Sequence, residues 1–277
     1  MLDKVAQRGE GRQRRAPLQA KTVIQRYHEG QWTVIEDSVA NEFVLTIEVD
    51  RQEFATVVCT PDCLEDFVIG FLASEGVIRQ ASDVDNLEVS LYRGMAWVHL
   101  KEKFQMRPEV YRKRYITSCC GKSRQSFYFF NDAQTAHKIE DSTRLSAGDI
   151  LNVMAKMDEE SFLFKQTGGV HMAFLEIPGQ CFIARSDIGR HNALDKVFGY
   201  LLRCGLSTIG ARMAFSGRIS SEVLLKVSKM GVGVVISHSA PTQLALDLAR
   251  DLNITVIGFV RNSSFNVYTH DWRVQMS

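Results

Sequence analysis

The fold class is decided by residues 213–260, which read MAFSGRISSEVLLKVSKMGVGVVISHSAPTQLALDLARDLNITVIGFV. Short continuous apolar runs predict strands, and between them the apolar residues recur at helical spacing. Continuously apolar strands that alternate with helices are typical of a largely parallel sheet covered on both faces. The predicted strands are 213–216, 233–237 and 254–260, and the predicted helices are 220–230 and 241–252.

The same pattern extends upstream. Ser146 and Asp149 are a start signal for a helix that runs to about Met157. Two strands follow around a Pro-Gly turn, and then a further helix. We therefore predict a C-terminal α/β domain over residues 146–277. Its upstream elements are strands at 170–177 and 181–186 and a helix at 191–203.

The N-terminal part is predicted to be a smaller, β-rich domain over residues 23–115. Apolar and polar side chains alternate between Glu42 and Asp50, which indicates a half-buried strand. Residues 1–22 are basic and have few large apolar side chains, so we expect a flexible tail. The remaining predictions are a strand at 54–59, a helix opened by Thr60 and Pro61 and ended by Gly76, a hairpin of 87–91 with 95–100, and a loop and link at 116–145.

Composition excludes several classes of protein. The chain has 277 residues, 45% hydrophobic and 23% charged, with Lys+Arg 33 against Asp+Glu 32, which predicts a soluble globular protein. A net charge of +1 gives no overall field toward nucleic acid or an anionic membrane, and neither is expected as a partner. Six cysteines are too few for a disulfide scaffold in a chain of this length, which favours a reducing cytoplasm. No signal peptide or membrane span is predicted.

Cys119 and Cys120 are the strongest chemical signal. They are adjacent in a loop that is neither apolar nor periodic, and nearby cations favour the thiolate, the nucleophilic form. We interpret this pair as reactive, and the other cysteines, Cys59, Cys63, Cys181 and Cys204, as packing residues. The flanking cations are Arg112, Lys113, Arg114, Lys122 and Arg124.

Three kinds of ligand-binding or metal-binding motif are incomplete in this sequence. Gly121-Lys122-Ser123 resembles the end of a phosphate-binding loop, but Ile116 stands where that motif needs glycine. The Gly231-x-Gly233 pair lacks the third glycine of a dinucleotide fingerprint. No histidine is followed two residues later by glutamate, and no cysteines are spaced C-x-x-C, so zinc deaminase chemistry and a structural zinc site are not expected.

Polar segments at predicted strand ends indicate a nucleotide-type pocket. Arg190 and His191 stand at a helix start, where backbone N–H groups attract anions. His171 follows Gly168-Gly169, whose small size allows a ligand to approach, although a histidine satisfied within the core is the usual alternative. Ligands of open α/β sheets bind at the carboxyl ends of strands. The loops expected there are 216–222, with Arg218, 237–242, and Phe259 to Ser264 after the last strand.

Taken together, these residues resemble the formate dehydrogenase accessory sulfurtransferases, the FdhD/NarQ family. The likeness covers nearly the whole chain from about Val39. It includes Phe67-x-x-Gly-Phe-x-x-Ser-Glu-Gly76, the cysteine loop, Thr167-Gly-Gly-x-His171, Asp187-x-Gly-Arg-His-x-Ala-Leu-Asp-Lys196, Ser216-x-Arg218, Gly258-Phe-x-Arg261 and Tyr268-Thr-His270.

This resemblance implies a fold and an activity. Members accept sulfur from a cysteine desulfurase as a cysteine persulfide and deliver it to the molybdenum of bis(molybdopterin guanine dinucleotide), before that cofactor enters apo formate dehydrogenase. The resemblance implies a homodimer and a C-terminal three-layer α/β domain similar to cytidine deaminases, without a metal of its own. The implied cofactor-binding residues are Phe259, Val260, Arg261, Asn262, Ser263 and Ser264; we add His171, Arg190, His191 and Arg218 from their positions.

Two alternatives stay open. Many members carry C-x-x-C in the loop, whereas this chain has Cys119-Cys120-Gly121-Lys122. Alignment on the preceding Thr-Ser makes Cys119 the persulfide carrier and Cys120 an assisting thiol, and alignment on Cys-Gly-Lys makes Cys120 the second family cysteine. The chain could also be a non-catalytic chaperone that holds the cofactor, since the same pocket would serve.

Overall fold

The computed structural model describes residues 16–102 and 136–275. These begin with a hairpin of two long strands, β1 (Gln19–His28) and β2 (Gln31–Ala40). The sequence predicted no strands here, because most side chains on both faces are exposed and the apolar residues show no alternation. Since β1 begins at Gln19, the predicted tail, residues 1–22, extends too far at its C-terminal end.

A four-stranded sheet and one helix follow. The strands are ordered β4-β3-β6-β5, and β3 and β6 are parallel, whereas β3–β4 and β5–β6 are antiparallel. The alternation predicted for β3 is confirmed, since Leu45, Ile47 and Val49 are buried. The elements are β3 (Phe43–Val49), β4 (Gln52–Cys59), α1 (Leu64–Ser74), β5 (Val84–Ser90) and β6 (Met95–Leu100).

The C-terminal part is an alternation of helices and strands, as predicted. Ser146 and Asp149 form a reciprocal capping box at the first of these helices. The elements are α2 (Ala147–Glu160), α3 (Phe162–Thr167), β7 (His171–Ile177), β8 (Cys181–Asp187), α4 (Arg190–Cys204), β9 (Arg212–Phe215), α5 (Ser221–Lys229), β10 (Val234–Ser237), α6 (Gln243–Asp251), β11 (Thr255–Arg261) and β12 (Ser264–Val267).

Six of these strands form one sheet covered on both faces. The order is β12-β11-β10-β9-β7-β8, with β9, β10 and β11 parallel and the others antiparallel to their neighbours. Alternate residues of one strand enter different cores: Phe174 packs with α2, and Leu175 packs with α4 and α5. This confirms the predicted three-layer α/β architecture and the β-rich N-terminal part.

Two local predictions were wrong. Residues 254–260 do not end the sheet, because β12 pairs antiparallel with β11, so the segment from Phe259 to Ser264 is a bulged hairpin. Helix α1 begins at Leu64 rather than at Thr60, and Cys63 precedes it with a left-handed backbone, φ 50°. Thr60 instead hydrogen-bonds to Asp187, at the end of β8, and to Ile188, in the short link before α4.

One hydrophobic core joins the N-terminal sheet to the C-terminal helices. It runs from Ile47 and Phe67 through Leu194 and Phe198 to Val235. Its centre is the crossing of α1 and α4, which approach so closely at Gly70 and Gly199 that their backbones touch. None of the helices in the described residues is long and apolar enough to cross a membrane.

Candidate functional site

A cavity of about 510 Å³ opens at the carboxyl end of the parallel strands. One wall comes from the end of α2 and from α3, and the other comes from the start of β7 and the loops after β9 and β10. The sequence analysis predicted a pocket at this position from the polar loops that follow the strands. The polar side chains that line it are those of Asp158, Ser161, Lys165, His171, Ser216 and His238.

The loops at this sheet edge are fixed to one another by hydrogen bonds. The Ser237 hydroxyl donates to the Gly217 carbonyl over 2.8 Å, and the Ile219 amide donates to the Ala240 carbonyl over 3.1 Å. The Phe259 amide donates to the Ser239 carbonyl over 3.4 Å. The loops after β9, β10 and β11 therefore form one connected framework.

His171 lies in the cavity wall, and its ring Nδ1 is 3.4 Å from the Ser216 hydroxyl. Burial lowers the pKa of His171, and the charge of Arg190 lowers it further, against a smaller opposing effect of Asp187. The imidazole is therefore uncharged at neutral pH and serves as a hydrogen-bonding group. Gly168 and Gly169 also line the cavity beside it, as the sequence suggested.

His238 lies in the loop 237–242 that the sequence analysis expected here, although it was not singled out, and Asp158 was missed. One ring nitrogen of His238 contacts the Val260 carbonyl at 2.7 Å, and the other contacts the Asp158 carboxylate at 2.9 Å. Both partners are acceptor oxygens, so His238 connects the end of α2 to β11. The position of His238 in a polar loop after a parallel strand was the available signal; Asp158, on α2, gave none.

The hairpin from Phe259 to Ser264 lies next to the cavity, because His238 holds the Val260 carbonyl. Val260 itself is buried, whereas Phe259 is exposed. Phe259, at the bulge in β11, and Asn262, at the tip, have left-handed backbones, with φ 54° and 51°. Arg261, Asn262, Ser263 and Ser264 are exposed and available to a ligand.

The structure gives different surroundings to Arg190, Arg218 and His191, three of the residues that the sequence analysis added to the predicted site. Arg190 is close enough to His171 to affect its titration, and Arg218 is exposed on the loop after β9. The His191 ring is buried and lies 2.8 Å from the Glu222 carboxylate of α5, so it joins two helices. Cys119 and Cys120 lie outside the described residues.

Other polar residues of the same segment are structural. Asp187 and Lys196 are fully buried and form an ion pair of 2.8 Å. Asp187 also accepts from the Thr60 and Gly189 amides and from the Asn192 side chain, at 2.8–3.0 Å. The polar density that suggested a ligand is therefore largely a buried network that joins α4 to residues before α1.

Comparison with known proteins identifies the family. The model of the FdhD/NarQ family matches residues 40–275. The chain belongs to the FdhD/NarQ family. A sulfur carrier protein FdhD of Geobacillus kaustophilus is 51% identical over 251 residues, which are 91% of this chain and 95% of that protein. The sulfur carrier protein FdhD of Bacillus pumilus is 49% identical over 93% of this chain and 98% of its own length.

A solved structure has the same fold. It is a crystal structure from Desulfotalea psychrophila described as a formate dehydrogenase accessory protein, with a TM-score of 0.76 and 23% identity. The match covers 94% of this chain and 100% of that chain. The FdhD/NarQ fold therefore extends over nearly the whole molecule.

The described cysteines of this FdhD/NarQ chain fall into two groups. Burial raises the pKa of the Cys59 thiol to about 12, with a further contribution from Asp187, and burial raises that of Cys63 to about 11. Neither holds a thiolate at neutral pH. The expectation that Cys181 and Cys204 are packing residues was wrong, since both are exposed at the ends of their elements.

Among the described residues, no cluster of His, Cys, Asp or Glu could hold a metal ion.

The two groups should differ in their reaction with iodoacetamide. At pH 7.5 Cys59 and Cys63 should be alkylated at least about tenfold more slowly than Cys181, because Cys59 is buried, Cys63 is half-buried and both lack thiolate. Peptide mass spectrometry over a time course measures each site. All sites should react at similar rates in urea; equal rates in the folded protein would contradict the assignment.

Proposed function

We propose that this protein is a sulfur carrier that serves formate dehydrogenase through the molybdenum cofactor. The Cys119 thiolate attacks the outer sulfur of a cysteine desulfurase persulfide, and the donor cysteine leaves as a thiolate. The resulting Cys119 persulfide supplies sulfur to bis(molybdopterin guanine dinucleotide), the cargo, before its insertion into apo formate dehydrogenase. Cys120 is the assisting thiol. We propose that the protein acts in the cytoplasm as a homodimer.

The observation that carries this proposal is the likeness to sulfur carrier proteins at about half identity over more than 90% of both chains in the two relatives compared. The high pKa values of Cys59 and Cys63 disfavour those two thiols as nucleophiles, which leaves Cys119, Cys120 and the exposed Cys181 and Cys204 as candidates. The basic residues on both sides of the Cys119–Cys120 pair favour the thiolate there.

The cavity supports binding of the nucleotide end of the cargo. A volume of about 510 Å³ is within the usual range for a site that holds one small ligand. It can take one guanosine end, but not both pterins. We assign the contacts to His171 in the wall, to Arg190 and Arg218 beside it, and to the hairpin Phe259–Ser264. His191 is committed to Glu222, so we assign it a positioning role.

The Cys119→Ala variant tests the carrier step. After incubation with a desulfurase and cysteine, the wild-type protein should gain about 32 Da, the mass of one sulfur atom, which a reductant removes. The variant should gain none, because no thiolate is left at the attacking position, while its affinity for GDP should be unchanged. Cys181→Ala is the matched control and should load normally, since it lies outside the proposed loop. Full loading of Cys119→Ala would transfer the role to Cys120 if Cys120→Ala then fails to load.

The chaperone alternative makes the opposite prediction for the double variant. A protein that only holds the cofactor needs neither thiol, so Cys119→Ala/Cys120→Ala would restore formate dehydrogenase activity in cells that lack this protein. We expect no restoration. Normal activity in those cells, with the variant present at wild-type level, would establish the chaperone reading.

A further inference from the structure

Cys181 and Cys204 are both exposed, and they stand at the ends of two consecutive elements. Cys181 is the first residue of β8, and Cys204 is the last residue of α4. Only residues 188 and 189 separate the end of β8 from the start of α4, and the helix packs on the strand. The function proposed above uses neither of these thiols.

Side-chain contacts show that α4 runs back along β8. The Lys196 ammonium lies 2.8 Å from Asp187, at the carboxyl end of the strand. One helical turn later, the centre of the Tyr200 ring lies 4.7 Å from the guanidinium carbon of Arg185. The contact therefore moves toward the start of β8 as the helix advances. Because β8 spans roughly 20 Å and α4 roughly 21 Å, the end of α4 comes level with the start of β8.

The two cysteines are on the facing sides of these elements. Cys204 follows Tyr200 by four positions, the spacing that places two side chains on one face of a helix. Cys181 and Arg185 are also four positions apart, and in a strand an even spacing places them on one face. Ile183 lies between them and is buried in the core that α4 also enters. The end of α4 and the start of β8 therefore bring the two thiols to one place.

Tyr200 is influenced by both thiols. Its pKa is raised chiefly by a hydrogen bond with the Cys204 side chain and by the charge of that group, and then by burial. Cys181 raises it further, whereas Arg185 opposes these effects. Because electrostatic effects decrease with distance, this response supports the placement of both sulfur atoms near the Tyr200 hydroxyl.

The chain has room to adjust beside each cysteine. Gly205 follows α4 with φ 60°, and Gly179 lies in the turn before β8 with φ 74°. In the described part of the chain, a Cβ on either glycine would meet nothing within 4 Å beyond its own chain neighbours. These open surroundings allow the two sulfur atoms to approach each other and allow an oxidant to reach them.

We propose that hydroperoxides oxidise Cys181 and Cys204 to an intramolecular disulfide. One thiolate attacks an oxygen of hydrogen peroxide, and the O–O bond breaks. The thiol becomes a sulfenic acid, and the hydroxide that leaves takes up the proton lost by the thiol. The other thiolate attacks this sulfur, the S–O bond breaks, and a second water molecule forms in the same way. Two thiols and one peroxide thus give one disulfide and two water molecules.

The disulfide would lie far from the cavity. Along the β7–β8 pair, His171 is opposite Asp187, and Ile177 is opposite Cys181. His171 lines the cavity, so Cys181 is at the other end of the pair, roughly 20 Å away. The proposal is therefore independent of the cargo site and of sulfur transfer by Cys119.

Peroxide oxidation of the full-length chain with Cys119→Ala and Cys120→Ala tests the pair, because these substitutions remove the two other thiols expected to react. After oxidation and denaturation, N-ethylmaleimide should label two of the four remaining cysteines. Tryptic peptides 166–185 and 204–212 should be joined until a reductant is added. The oxidised protein should unfold at a temperature about 5 °C higher than the reduced protein, since the disulfide constrains the unfolded chain.

Three further variants in the same background are the controls. Cys181→Ser and Cys204→Ser should each yield no joined peptides and no rise in unfolding temperature. Cys63→Ser is the matched control, because Cys63 is half-buried and is therefore the more accessible of the two cysteines outside the pair. It should form the same disulfide at the same rate as the parent protein.

Three results would overturn the proposal. The first is a disulfide from Cys181 or Cys204 to Cys63. The second is a disulfide between two copies of the chain, which a non-reducing gel shows as a band of twice the mass. The third is oxidation of both thiols to sulfinic acids by peroxide without any joined peptides.

Discussion

Replacing Gly199 with alanine should lower the free energy of unfolding by at least about 3 kcal/mol, and Gly70→Ala should have a similar effect. A Cβ on Gly199 would lie 1.8 Å from the Asp66 carbonyl oxygen, and one on Gly70 would lie 1.7 Å from that of Asp195. These obstacles are backbone atoms of the opposite helix, which no rotamer change can move.

The cost is large because α1 and α4 would have to separate. Phe67, Leu194 and Phe198 are buried in the core that the crossing holds together, so separation loses packing on both helices. Alanine is intrinsically better than glycine in a helix by about 1 kcal/mol, which offsets only part of this loss. The requirement for glycine is therefore set by the approach of the two helices.

Urea unfolding followed by circular dichroism measures the change. Gly148→Ala is the matched control, because Gly148 is also helical and a Cβ there would meet only the Ser146 hydroxyl at 3.6 Å, an ordinary contact. It should be neutral or slightly stabilising. Equal stability of Gly199→Ala and Gly148→Ala would show that the helices can separate at little cost.

The sequence predicted those parts of the fold in which burial follows a regular period. The strands and helices of residues 213–260 were found because each buries one face or both against the core. The hairpin β1–β2 was missed because Val23, Trp32 and Val34 are exposed, and alternation has no meaning where neither face is buried. Strand β12 has only four residues, too few to show a period.

The candidate site was predictable where its residues follow strands. The loops after β9 and β10, which carry Ser216 and His238, were found in this way, and His171 was found from the glycine pair before β7. Asp158 is 80 positions away from His238, and only the packing of α2 on the sheet brings the two together. The buried roles of Asp187 and Lys196 could not be predicted either, since composition shows polar density but not which groups satisfy one another.

The second large effect is expected for Lys196→Met, which should lower the free energy of unfolding by about 3–5 kcal/mol. The Lys196 ammonium is fully buried and donates to the Asp187 carboxylate and to the Thr60 and Ser186 carbonyls, at 2.8, 3.2 and 3.1 Å. Methionine fills similar space but leaves the Asp187 carboxylate buried without its cation.

The double variant Lys196→Met/Asp187→Asn separates charge from packing. Asparagine keeps the size of aspartate and an acceptor for the Thr60 amide without the charge, so the double variant should be more stable than Lys196→Met alone. Lys21→Met is the matched control, because Lys21 lies 4.0 Å from Glu36 with both side chains more than half exposed, and its effect should stay within about 1 kcal/mol. If Lys196→Met were no more destabilising than Lys21→Met, the Asp187–Lys196 pair would not be what joins α4 to Thr60. Additive effects of the two substitutions would instead show that packing, rather than the uncompensated charge, determines the loss.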